Sequence, residues 1–223
     1  MNKELMARWL RAFLVTLGIF VLFSLYLYIR REVYNLGIAN KAFGSAAATL
    51  AGITLLIGPI SRKFPQFGKY VPFRRPLGIL AFLTGLIHVI ISLFFIPERF
   101  NIPFFLNQWP ATITGLVAIG IWLYLTTISR NDSVKHMGGS TWVMLQQRGG
   151  HIAFLLVFLH LVFLKYAGWI EWFQGKTQKT PYLANPGYPP ASLFVFLVMV
   201  GIIGYRVYLA IVKKHEIPPK TDV

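Results

Sequence analysis

The stretch RRPLGILAFLTGLIHVIISLFFIP, residues 74–97, decides the fold. From Pro76 to Ile96 it holds no Asp, Glu, Lys or Arg, and about twenty such positions are what an α-helix needs to cross the hydrocarbon core of a bilayer. One residue is out of place there, His88. The stretch HIAFLLVFLHLVFLKYAGW, residues 151–169, repeats the anomaly around His160. An imidazole inside a membrane span is costly unless it has a partner or a function, so two of them at similar depth on different spans point to a shared ligand.

The rest of the chain agrees with a membrane setting. Of its 223 residues 56% are hydrophobic and only 13% charged, with a mean hydropathy of +0.59, too apolar for an ordinary soluble domain. The net charge of +15 does not indicate a nucleic-acid partner, because the lysines and arginines lie between the apolar runs and form no stripe on a soluble surface. Charge in that position reports orientation. The absence of cysteine removes disulfides, thiolate metal sites, covalent haem attachment and thiolate-ligated haem together.

Six apolar runs follow one another, at 12–29, 42–60, 76–96, 111–128, 142–167 and 192–212, and predict a single all-α, six-helix membrane domain over residues 1–223. The first run resembles a signal peptide but ends in Arg30-Arg31-Glu32 without a small-residue cleavage site, so it reads as a retained helix. The second opens with Gly44, Ala48 and Gly52 four apart, a spacing that lets a neighbouring helix or a flat ligand approach closely. Between the third and fourth runs, Phe104, Phe105 and Trp109 read as headgroup-level aromatics. The connection from Trp169 to Pro190 is the longest, and the polar tail after the sixth run is expected to fray. With the N-terminus inside, 15 of the 22 lysines and arginines fall on the inner side and 7 on the outer, which predicts both termini to be cytoplasmic. No Walker or dinucleotide-binding glycine motif is present, so a flavin or nicotinamide would belong to another polypeptide.

In this topology the third and fifth spans both run from inside to outside. His88 and His160 then differ in depth by a few ångström at 1.5 Å per residue, which allows both to ligate one haem iron in the outer half of the membrane. Proton relay and interhelical hydrogen bonding are the alternatives that spacing leaves open. A zinc site is disfavoured, since no acid or thiol lies nearby in the spans. His151 is nine residues before His160, on the opposite face of an ideal helix, so one haem cannot use both. It reads either as a helix-start histidine at the inner headgroups or as a ligand to a second haem. Arg74, Arg75, Lys165 and Arg206 each carry two readings, snorkelling to the interface or pairing with a haem propionate. His136 and His215 lie in polar segments and carry no signal.

Residues 44–167 resemble the ferric reductase-like transmembrane domain, most closely its short bacterial members, the haem-binding membrane subunits of periplasmic methionine sulfoxide reductase systems. The resemblance lies in Gly44-Ser45-Ala46-Ala47 with Pro59 on the same helix, in Arg74-Arg75-Pro76-Leu77-Gly78 followed by Phe82 and Leu86-Ile87-His88, and in Trp142, Leu145 and His160. It implies a haem b with His88 and His160 as axial ligands, in a bacterial inner membrane. Electrons would pass from an inner quinol or separate flavoprotein to a periplasmic acceptor protein or ferric iron. Members with two haems carry two histidines on each ligating helix. Here the inner positions hold Arg74 and either Gln146 or Gln147, which leaves His151 as the residue on which a second haem would depend. A membrane transporter or assembly scaffold with structural histidines is the non-redox alternative.

Overall fold

The computed structural model describes residues 3–215. These form α1 (Lys3–Arg31), α2 (Leu36–Lys63), a 3-10 helix (Pro65–Phe73), α3 (Arg74–Ile90) continued by a π turn (Ile91–Phe95), α4 (Ile102–Asn107), α5 (Trp109–Thr127), α6 (Asn131–Met137), α7 (Gly139–Phe173) and α8 (Ala191–His215). Six of the helices are long and apolar enough to span a membrane, so the protein is an all-α, multi-pass membrane bundle. The predicted tail after residue 215 lies outside the described residues, as does the side chain of His215.

Each apolar run coincides with a helix that starts before it; the third and fourth runs end one residue past their helices, at Ile96 and Ile128, and the other helices outrun their runs at both ends. The fifth run, 142–167, becomes a helix of 35 residues. Hydropathy marks only the part in hydrocarbon, whereas backbone hydrogen bonding continues through polar and aromatic turns on either side. The connection before α5 is not a plain loop. Asn101 caps α4, its side chain accepting from the Phe104 N–H at 2.9 Å, and the rings of Phe100, Phe104 and Phe105 pack together.

The second helix organises the bundle. Asn35 caps its start, and its small face, with Ala42, Ala46, Ala47, Ala48 and Ala51 all buried, brings neighbouring helices close. It packs against α1, α3, α7 and α8. Four helices close a ring in which α2 meets α3, α3 meets α5, α5 meets α7 and α7 meets α2. Among the described residues no Cα of α3 lies within 8 Å of a Cα of α7, so these two helices stand on a diagonal of the ring. The first and last helices pack outside it.

Pro59, inside α2, has no N–H for the carbonyl of Leu55 four residues earlier. Arg206 of α8 repairs the gap, donating from Nη1 to that carbonyl at 3.3 Å, while Arg74 Nε donates to the adjacent Thr54 carbonyl at 3.3 Å. The long connection after α7 is tied to the end of α1. Asn185 Nδ2 donates to the Ile29 carbonyl at 2.8 Å, the Asn185 N–H to the Arg30 carbonyl at 3.0 Å, and Arg30 Nε to the Tyr188 carbonyl at 2.9 Å. The first two of these bonds satisfy backbone carbonyls that the end of α1 leaves open, and the third answers a carbonyl of the connection itself.

Candidate functional site

His88 and His160 are held by one device used twice. The Nδ1 of His88, on α3, lies 2.9 Å from the carbonyl oxygen of Asn40 on α2. The Nδ1 of His160, on α7, lies 2.7 Å from the carbonyl oxygen of Ala111 on α5. A carbonyl can only accept, so Nδ1 carries the proton in both rings and Nε2 is left with its lone pair. Neither Nε2 makes a hydrogen bond among the described residues.

Four residues beyond each acceptor stands a glycine on which the ring rests. A Cβ at Gly44 would sit 3.2 Å from His88 Nδ1, and one at Gly115 would sit 2.7 Å from His160 Nδ1. The α2–α3 pair and the α5–α7 pair thus present an imidazole in the same way. Asn40 and Ala111 both lie near the starts of their helices, at the same end of the bundle, so the two imidazoles share a depth. Each lies within electrostatic reach of Lys165, and His88 also senses His160. Both residues keep some accessible surface despite lying well inside their spans, so room remains around the rings.

Polar support is local. Asn40 is 2% exposed, and its Nδ2 donates to Ser92 Oγ at 2.8 Å while Ser92 Oγ donates to the His88 carbonyl at 2.8 Å. The Oδ1 of Asn40 is buried without a hydrogen-bond partner. On the inner side of the pair, the Trp122 ring crosses the space that a side chain at Gly85 would take, with its Cζ3 3.2 Å from the built Cβ.

Further inward, α2, α3, α5, α7 and the 3-10 helix line a half-open cavity of about 340 Å³, with Arg74, Arg75, Trp122, Trp142, Gln146 and Gln147 among its lining. His151 is not in its lining. Its Nδ1 donates to the Gln147 carbonyl within its own helix, and its Nε2 accepts from Arg206 Nη2. Both ring nitrogens of His151 are therefore engaged, unlike those of the outer pair. Gln146 Nε2 donates to the Leu125 carbonyl at 2.9 Å and to Ser129 Oγ at 3.0 Å, and Trp142 Nε1 donates to the Ile128 carbonyl at 2.8 Å. Arg206, expected at the sequence level to snorkel or to meet a propionate, instead serves the Leu55 carbonyl and His151.

The structure brings together residues that sequence reasoning did not connect. The acceptors Asn40 and Ala111 contribute through their backbone, which leaves no trace in residue type. Gly44 had a signal in its small-residue spacing, and Gly115 had one as a glycine inside an apolar span. Among the described residues there is no group of three or more His, Cys, Asp or Glu able to hold a metal ion. Two imidazoles without a carboxylate fall short of a tetrahedral zinc set, but they suffice for a metal whose other ligands come from a macrocycle.

No family model matches the chain. Over 128 residues, 56% of its length, it is 26% identical to the magnetosome protein MamZ of Paramagnetospirillum magneticum, and at the same identity over 128 residues it matches MamZ of Magnetospirillum gryphiswaldense. The matched stretch covers 20% and 19% of those proteins, so the chain spans about a fifth of the length of the curated relatives it matches.

Proposed function

We propose that this protein holds a haem b between His88 and His160 and carries electrons across a bacterial plasma membrane, as a ferric reductase-like electron-transfer subunit with both termini cytoplasmic. The observation that carries this reading is the matched pair of imidazoles. Metal-binding histidines almost always donate their second ring N–H to a carbonyl or carboxylate, which fixes the tautomer and aims the free nitrogen. Here both Nδ1 protons are so committed, and both Nε2 atoms belong to helices on a diagonal of the four-helix ring. Structural histidines acting only as helix glue have no reason to leave the same nitrogen free twice.

When bound, such a haem supplies reversible one-electron chemistry. The protein's part would be to hold the haem through His88 and His160 and to keep it in apolar surroundings that would set its potential. The electron donor is a quinol or a separate flavoprotein on the inner side, and the acceptor a protein or ferric iron on the outer side. Arg74, at the inner cavity, stands where a donor would approach. With both its ring nitrogens engaged, His151 favours one haem per chain over two.

The test is the absorption spectrum of protein purified in detergent after expression with ample haem. The wild type shows a low-spin Soret band, and His88→Ala and His160→Ala each abolish the six-coordinate species. A full, unshifted low-spin spectrum in both variants, or no Soret band in the wild type, overturns the reading.

A further inference from the structure

Around the outer end of the histidine pair the protein gathers cations that have nothing negative to answer them. Lys41 follows directly on Asn40, whose carbonyl holds His88, and Lys165 lies five residues beyond His160. Lys41 senses Arg31, Arg99 and Lys165, and Lys165 senses Arg99 and Arg31, so residues from α1, α2, α7 and the segment before α4 converge on one place. Among the described residues none of these four pairs with an acid; the ion pairs are Arg8–Glu4 and Arg130–Asp132, both elsewhere. Neither Lys41 nor Lys165 makes a hydrogen bond there, though both are half-buried. Arg31 spends Nη1 on the Tyr182 carbonyl at 2.9 Å, but its Nε is buried and without a partner.

Snorkelling explains a single long cation near a helix end. It does not explain four converging from separate elements, since like charges repel and unpaired charge at the edge of hydrocarbon is costly. Such a cup requires an anion, and its nearness to both imidazoles says which. We propose that Lys41 and Lys165, with Arg31 and Arg99, form a carboxylate-binding cup at the outer end of the histidine site that receives the two propionates of the porphyrin. This rests on the haem reading above and adds the orientation of the ligand, with its propionate edge outward.

The experiment pits protoporphyrin haem against its dimethyl ester, which is the same macrocycle without the two negative charges. Haem-depleted full-length protein in detergent is titrated with each, and binding is followed by the Soret band. The wild type is expected to prefer the free acid at least tenfold. Lys41→Gln/Lys165→Gln is expected to lose most of that preference while keeping the bis-histidine spectrum, and Lys176→Gln/Lys179→Gln, in the loop beyond α7, to keep it. Should the double variant fail to fold, the single variants and the wild-type comparison decide. Equal binding of acid and ester by the wild type, or an undiminished preference in Lys41→Gln/Lys165→Gln, overturns the cup and leaves the haem reading standing. A wild type that takes up neither porphyrin overturns both.

Discussion

Replacing Gly115 by alanine tests the histidine geometry without touching a histidine. The new Cβ would lie 2.7 Å from Nδ1 of His160 and 3.0 Å from its Cε1. Non-bonded carbon contacts settle at about 3.5 Å or more, so the ring has to retreat by roughly 0.8 Å. That stretches the 2.7 Å bond to the Ala111 carbonyl to about 3.5 Å, where little of it remains. The loss is about 0.5–1.5 kcal/mol for the hydrogen bond and about 1–3 kcal/mol for overpacking, against about 0.5–1 kcal/mol gained by replacing a helical glycine. The net expectation is destabilisation of about 0.5–4 kcal/mol, centred on about 2 kcal/mol, with a disturbed His160. Gly44→Ala meets His88 at 3.2 Å and asks for a shift of only a few tenths of an ångström, so its effect is smaller. Gly120, on the same helix as Gly115, has nothing within 4 Å of its built Cβ, and Gly120→Ala is neutral or slightly stabilising. Thermal unfolding in detergent ranks the three variants, and the low-spin signal in electron paramagnetic resonance reports the ligand. A Gly115→Ala protein as stable as Gly120→Ala, with an unchanged signal, would refute the reasoning.

Three further outcomes are expected. Arg206→Leu leaves the Leu55 carbonyl unanswered and costs about 1–3 kcal/mol in thermal unfolding, and Pro59→Ala in that background recovers part of it by restoring the helix's own bond; no recovery would separate Arg206 from the proline. His151→Ala keeps the haem-to-protein ratio of the wild type, because its ring nitrogens face Gln147 and Arg206; a halved ratio would establish a second haem. Asn185→Ala removes the Nδ2 amide that donates to the Ile29 carbonyl and to Glu32 and loosens the outer connection, which the Arg30 and backbone bonds still hold to α1, so limited proteolysis between residues 174 and 190 should quicken modestly, and an unchanged cleavage rate would count against that tie.

The membrane fold was legible because hydropathy is a sum over some twenty residues and survives any local exception, as in residues 76–96 with His88 at their heart. Where each helix ends was not, since α7 continues past its apolar run at both ends, and beyond residue 167 the indoles of Trp169 and Trp172 hold it to Ser192 and to the Gly187 carbonyl. His88 and His160 stand out as candidates for the opposite reason: each is a single residue whose presence in an apolar span needs a cause. Their anchors were hidden, because any residue type at positions 40 and 111 would offer the same carbonyl. Lys165 and Arg206 look alike in sequence, each a long cation near the end of a span. The fold separates them, giving Arg206 the carbonyl freed by Pro59 and setting Lys165 among cations that share no counter-charge.

The most direct measurement of the central claim is haem per polypeptide, with the ligation state read on the same purified sample by electron paramagnetic resonance. The account predicts one haem b per chain with a bis-imidazole low-spin signal that disappears in either His88→Ala or His160→Ala. Protein that stays free of haem when supplied with it, or a low-spin signal that outlives both substitutions, would contradict it.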